Sequence, residues 1–210
     1  FDSLIYSWTS GGGSAFLGNF FNYLSSPFLV VMLLLGHKNM PEAISVMVLL
    51  KAAIASFTFS YFISKKHKVQ SPLVSAFGVL YACSGYFIAY YWNVMWLDGM
   101  ILLPLIALGI ENIINKGKPA LYIVTLALMF YSSYYISYMV CIFAILYFLV
   151  YFFTNYSGGA KIDNNLIVSN KHSVKNLMNN TFFNRGVNFA VSSILTAMLC
   201  AVVLIPVYFI

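Results

Sequence analysis

Long apolar runs separated by short polar stretches organise this chain. Four runs approach the roughly 20 residues a helix needs to cross ~30 Å of hydrocarbon: Ala43 to Ile63, Pro72 to Tyr91, Trp96 to Ile114, and Gly186 to the end. A fifth, Pro119 to Phe153, is too long for one ordinary span and barely enough for two at ~1.5 Å per residue. The region before the first span differs. In YSWTSGGGSAFLGNFFNYLSSPFLVVMLLLG the apolar run after Pro27 covers about nine residues, short for a crossing, and Asn19, Asn22, Ser25 and Ser26 interrupt what precedes it. An interfacial or re-entrant helix suits this region. A full crossing from Phe16 to Leu35 is the alternative and places Asp2 on the inside.

Charge decides the long run. Lys65, Lys66 and Lys68 follow the first span, Lys116 and Lys118 the third, and Lys161, Lys171, Lys175 and Arg185 lie before the last, whereas Tyr91 to Met95 and Tyr131 to Ser137 carry no basic residue. Basic loops face the cytoplasm. Lys118 and Lys161 then share a side, so two helices connect them, turning near Ser132-Ser133-Tyr134-Tyr135. The expectation is an all-α, polytopic transmembrane bundle of about six spans. Its divisions are an outer region of interfacial or re-entrant helices over 1–40, a helical core over 41–153, a polar cytoplasmic loop over 154–185 and a further span over 186–210.

Composition agrees: 61% of residues are apolar and 8% charged, with a mean hydropathy of +0.86, far outside soluble averages. This is the profile of an integral membrane protein. Phe1 in place of Met, and a last apolar run cut at Ile210, read as a fragment of a longer chain. The net charge of +6 sits in particular loops and not along a groove, so nucleic acid is excluded as a partner. Cys83, Cys141 and Cys200 fall in apolar runs without a CxxC pair, and His37, His67 and His172 are scattered. No His/Cys metal site and no disulfide framework follow from that spacing. A divalent metal is left open, and no cofactor is assigned.

Only five Asp and Glu residues occur in 210, which makes Asp98, in WNVMWLDGM, informative. The predicted topology sets it at the outer end of the third span beside Trp92 and Trp96, level with Asn93, Tyr134, Tyr135 and Ser137, and with Tyr6 and Trp8 if the first region lies on the outer surface. Trp and Tyr favour the headgroup level on their own account. Aromatic faces beside amides, hydroxyls and one carboxylate are also the groups that hold sugar rings. Lys51 lies about eight residues, ~12 Å, inside its span, where a charge costs roughly 2.5 to 3.5 kcal/mol on insertion scales unless paired or wet. Two readings are open for it: a structural ion pair, or a cation that meets a lipid-linked phosphate. Asp98 likewise is either a site residue or a helix cap. Glu111, near Lys116 and Lys118, reads as structural. GGGS at Gly11 to Ser14 lacks the Lys-Ser/Thr of a P-loop and reads as a turn. The sequons at Asn155 and Asn179 carry little weight in a cytoplasmic loop.

The stretches YSWTSGGGSAFLGNFFNYLSSPF, LLKAAIASFTFSYFISKK, YACSGYFIAYYWNVMWLDGMILLPLIALGIENIINKGKP and SSYYISYMVCIFAILYFLVYF resemble the bacterial YfhO family of membrane proteins. That resemblance implies a GT-C type glycosyltransferase working at the outer face of the cell membrane. The donor it implies is a polyprenyl-phosphate sugar, and the acceptor a glycolipid or a cell-wall polymer such as lipoteichoic acid. Asp98 is the first candidate, as base or acceptor-orienting group, with Lys51 on the phosphate and Tyr6, Trp8, Asn93, Trp96, Tyr134 and Tyr135 on the substrate; enzymes of that type usually carry an Asp in the first outer loop, and Asp2, in a stretch that matches no catalytic motif, is the second candidate. Two other classes stay in view. A flippase for a lipid-linked sugar needs a similar vestibule but tends to show internal repeats, which are not evident. A wall-synthesis scaffold needs neither Asp98 nor Lys51.

Overall fold

The structure is a computed structural model and describes residues 6–7, 13–15, 20, 25–35, 39–157 and 171–209. It is helical apart from a two-stranded antiparallel ribbon, β1 (Tyr6–Ser7) and β2 (Ser14–Ala15), which pairs Tyr6 with Ala15 and Ser7 with Ser14. Gly13, immediately before β2, adopts φ +113°, a conformation that favours glycine, and the rest of the expected turn, Gly11 and Gly12, lies outside the described residues. Asp2 and Trp8 lie outside the described residues.

The helices are α1 (Leu29–Leu35), α2 (Met40–His67), α3 (Pro72–Ala82), α4 (Gly85–Tyr90), a 3₁₀ turn at Val94–Trp96, α5 (Leu97–Lys116), α6 (Ala120–Ser132), α7 (Tyr134–Ser157), α8 (Lys171–Leu199) and α9 (Ala201–Phe209). Among the described residues four helical stretches are long and apolar enough to cross a membrane: Met40–His67, Pro72–Tyr90, Val94–Lys116 and Tyr134–Thr154. At only seven residues, α1 is no crossing. The expected six crossings are therefore met in part. With 13 residues, α6 rises about 20 Å at 1.5 Å per residue, short of the hydrocarbon thickness. The last apolar run is interrupted at Cys200, between α8 and α9. Helix α8 also begins at Lys171, so half of the stretch expected as a polar loop is helical.

Side-chain contacts set the helix directions. The C-terminal halves of α2, α5 and α7 meet through Lys66, Glu111 and Tyr147, while Ile136, early in α7, lies against Gly99, early in α5. These three helices therefore run the same way, and α6 returns between Gly117 and Ser133. Both turns are locally encoded. Gly117, at φ +69°, caps α5 in the left-handed region and donates its N–H to the Ile113 carbonyl. At the other end, extended Ser133 separates α6 from α7, and its carbonyl accepts from the Ser137 hydroxyl at 2.7 Å. The expected turn at Ser132 to Tyr135 is thus a one-residue break.

Helix α5 is the centre of the bundle: 78% of its span is buried, against 11 to 28% for the other three. In lipid, close packing and interhelical polar contacts hold helices together, since the tails are as apolar as Leu. The packing core joins Ile106, Ile110 and Ile113 of α5 to Tyr122 and Met129 of α6, and to Val140 and Phe148 of α7. Gly109 makes the α5–α6 approach possible, because a Cβ there would meet the Tyr122 backbone at 2.7 Å. Pro104 sits inside α5 and removes the N–H that would bond the Met100 carbonyl. The Tyr81 hydroxyl from α3 donates to that carbonyl at 2.9 Å instead, the kind of substitute donor that lets prolines sit within spans.

Candidate functional site

Packing of α2 against α5 brings together two residues 47 positions apart. The Lys51 ammonium stands 2.7 Å from Asp98 Oδ1, with both side chains almost wholly buried. It also donates to the Ser26 hydroxyl at 3.1 Å and to the Val94 carbonyl at 2.9 Å, and it lies 5.0 Å from the centre of the Phe28 ring. Four segments of the chain thus converge on one cation: the turn before α1, α2, the 3₁₀ turn and α5.

This geometry favours one of the two readings open for Lys51. Its ammonium is engaged by a carboxylate, a hydroxyl and a carbonyl, with an aromatic face alongside, so the ion pair is built into the fold. Asp98 follows the Trp96 N-cap by two positions and makes no side-chain capping hydrogen bond. The α5 dipole still favours its negative charge, but pairing with Lys51, and not capping, accounts for its place. Its Oδ2 has no hydrogen bond of ordinary geometry among the described residues.

Around the pair lies a serine-rich, aromatic layer. The Ser25 hydroxyl reaches the Ser132 carbonyl at 3.3 Å, joining the segment before α1 to the α6–α7 break, where Ser132, Ser133 and Ser137 are all buried. The rings of Tyr86, Tyr90 and Trp96 follow one another at 5.2 and 5.3 Å. Tyr86 and Trp96 also wall a cavity of about 260 Å³, together with Tyr81, Gly99, Leu103 and Ile136. Its lining is nearly all apolar, which suits a hydrocarbon chain better than a sugar ring. Asn93 is half-buried and precedes the Val94 carbonyl that holds Lys51. Tyr134 is half-buried, whereas Tyr135 is exposed on the bundle surface. The structure therefore joins Lys51 and Asp98 in direct contact and sets Trp96 in the wall of the apolar cavity, which Gly99 and Met100 line but Lys51 and Asp98 do not. Tyr6 is described only as backbone in β1.

Ser26, Phe28, the Val94 carbonyl and Tyr81 were not anticipated from the sequence. One signal was available for Tyr81: a proline within a span obliges some neighbour to satisfy the freed carbonyl.

At the opposite end of the bundle Glu111 is buried, and its expected neighbours are not its partners. Lys66 of α2 stands 2.8 Å from its Oε1 and the Tyr147 hydroxyl donates to the same oxygen at 2.6 Å. Lys116 is five residues on, away from the i+3/i+4 face, and Lys118 lies past the Gly117 cap. Among the described residues no three His, Cys, Asp or Glu side chains converge as a metal-ligand group.

No curated protein and no solved structure matches the chain. The family described as "Bacterial membrane protein YfhO" matches it over residues 1–210. An apolar helical bundle with basic residues gathered at one end and a buried ion pair in its aromatic end is what that match covers, and the chain belongs to the YfhO family of bacterial membrane proteins.

Proposed function

We propose that this protein is a GT-C type glycosyltransferase that moves a sugar from a polyprenyl-phosphate donor to a glycolipid or a cell-wall polymer such as lipoteichoic acid at the outer face of the cell membrane. The observation that supports it most is the buried carboxylate near the N-terminus of the central helix, Asp98, next in sequence to Gly99, which walls an apolar cavity together with Trp96. In this reading the chain crosses the membrane six times, α6 and α8 making the additional crossings. The cavity takes the first part of the donor's isoprenoid chain. Lys51, 2.7 Å away, is the counter-ion of the Asp98 carboxylate. Asp98 accepts the acceptor hydroxyl's proton as the new C–O bond forms at the sugar's anomeric carbon, and the bond to phosphate breaks with its electron pair on the phosphate oxygen. Lys51 can meet that phosphate only by leaving one of its present partners.

The test separates chemistry from folding. Asp98→Asn or Lys51→Met alone leaves an unpaired buried charge and costs about 3–5 kcal/mol of stability, which the double variant recovers. Sugar on lipoteichoic acid is measured in cells carrying the full-length protein at matched membrane levels. The expected outcome is a loss of about 100-fold or more in both Asp98→Asn and the double variant, the size of a general-base contribution. Transfer regained in the double variant would reduce Asp98 to a structural partner.

Helix breaks at Ser84, Ser133 and Cys200 favour a second reading, a flippase for the same lipid-linked sugar, since interrupted helices mark many transporters. Absence of transfer from the intact protein, with accumulation of the lipid-linked sugar on one leaflet, is the result it expects.

A further inference from the structure

The lysine-rich end of the bundle holds a site that the glycosyl-transfer reading does not use. Between the C-terminal ends of α2, α5 and α7 lies a cavity of about 490 Å³ whose wall includes Lys65, Lys66, Lys68 and Lys116 and a single carboxylate, Glu111. Lys66 is committed to that carboxylate. Among the described residues, Lys65, Lys68 and Lys116 have no carboxylate partner. Asn115 and Tyr151, hydrogen-bonded to each other at 3.0 Å, add uncharged polar groups to the same wall. The cavity therefore carries a net positive charge that the described residues do not balance.

Its surroundings continue in one direction. A second cavity of about 560 Å³ shares Tyr61, Lys65 and Lys68 with the first. Tyr61, Ser64 and Gln70 then connect it to a groove of about 720 Å³ between α2 and α3. Along α2, Phe57, Tyr61 and Lys65 follow four residues apart on one stripe, and Lys68 lies just past the helix end, so the track passes from exposed apolar side chains to unpaired ammonium groups. Phe57 and Val79, which border the groove, are exposed.

From this we infer that the lysine end binds the phosphodiester headgroup of an anionic membrane lipid, with one acyl chain lying in the α2–α3 groove. Charge complementarity selects the headgroup, and basic pockets between membrane helices are where such headgroups dock. The adjoining groove, whose wall sets Phe57, Val69, Pro72 and Val79 among serine hydroxyls, selects a lipid over a free phosphate, because only a lipid fills both parts of the track.

The site is tested on the full-length protein, purified in mild detergent and titrated with dioleoylphosphatidylglycerol or dioleoylphosphatidylcholine, with bound lipid counted by native mass spectrometry. Lys65, Lys68 and Lys116 are exposed, so replacing all three by Gln leaves Lys66, Glu111 and the helix contacts in place. The expected result is a preference for phosphatidylglycerol, weakened tenfold or more in the Gln variant and restored when the same three positions are Arg. Equal retention of phosphatidylglycerol in the Gln variant would overturn the inference, as would failure of the Arg variant to restore it. Displacement of the lipid by millimolar glycerol 1-phosphate or inorganic phosphate would make the ligand a soluble phosphate and overturn the lipid assignment.

Discussion

The Tyr81 hydroxyl does for Met100 what a backbone N–H does elsewhere in α5. Pro104 leaves that carbonyl without its helical donor, and Tyr81 supplies one while its ring stacks on Phe59 at 4.3 Å. Tyr81→Phe keeps the ring and removes only the donor, so it should cost about 1–2 kcal/mol, the range for a lost interhelical bond to a buried acceptor. Adding Pro104→Ala should return most of that, because the new N–H can reach Met100. Detergent-based thermal melts of the four proteins in this cycle check it; equal losses from Tyr81→Phe with and without the proline would disprove the assignment. At this scale the sequence was readable for single residues and opaque for pairs. Asp98 and Lys51 stand out because charge is rare in the runs around them. Their contact depends on the register of α2 against α5, which no local pattern near either residue specifies. Glu111 shows the same limit: its neighbours in sequence are lysines, yet its partner comes from α2.

Between elements, glycine positions decide which helices can touch. At Gly109 a methyl group would run into the Tyr122 backbone, whereas at Gly186, inside α8, it would meet nothing within 4 Å. Gly109→Ala should therefore destabilise by about 1–3 kcal/mol through overpacking. Gly186→Ala should be neutral or stabilising by up to about 1 kcal/mol through helix propensity. Melting temperatures moving in the same direction for both would argue against the close α5–α6 approach. The break between α6 and α7 was legible, because Ser132-Ser133 interrupts an apolar run that lacks basic residues at that point. The break at Cys83–Ser84 was not, because apolar residues continue on both sides and hydropathy averages across it. The short length of α6 was legible with that turn, since Pro119 and Ser132 already bound a run of about 13 residues; the extension of α7 to 24 residues, past the apolar run that ends at Phe153, was not.

For the whole molecule, charge is sorted along the bundle. Lys65, Lys66, Lys68 and Lys116 gather where α2, α5 and α7 end, while Asp98 and the aromatic layer occupy the other end. If the basic end faces the cytoplasm, an impermeant thiol reagent added to intact cells should label Trp92→Cys and leave Lys116→Cys unlabelled until the membrane is opened. Trp92 is exposed, and the native cysteine background is the control. The reverse pattern would invert the orientation and move the proposed transferase site to the inner face. This large-scale sorting was the most legible property of the sequence, because insertion reads the same charges that a reader of the sequence does.

Two ion pairs join α2 to α5, Lys51 with Asp98 near one end and Lys66 with Glu111 near the other. The anchors are 15 residues apart on α2 and 13 on α5, about 22 and 20 Å along helices rising 1.5 Å per residue. Two helices riveted at both ends can neither slide nor roll past each other without breaking an ion pair, the one at Asp98 fully buried and the one at Glu111 partly so. If the proposed transfer requires the bundle to open, the movement falls to helices outside that rigid plank, and α2 with α5 is its fixed spine.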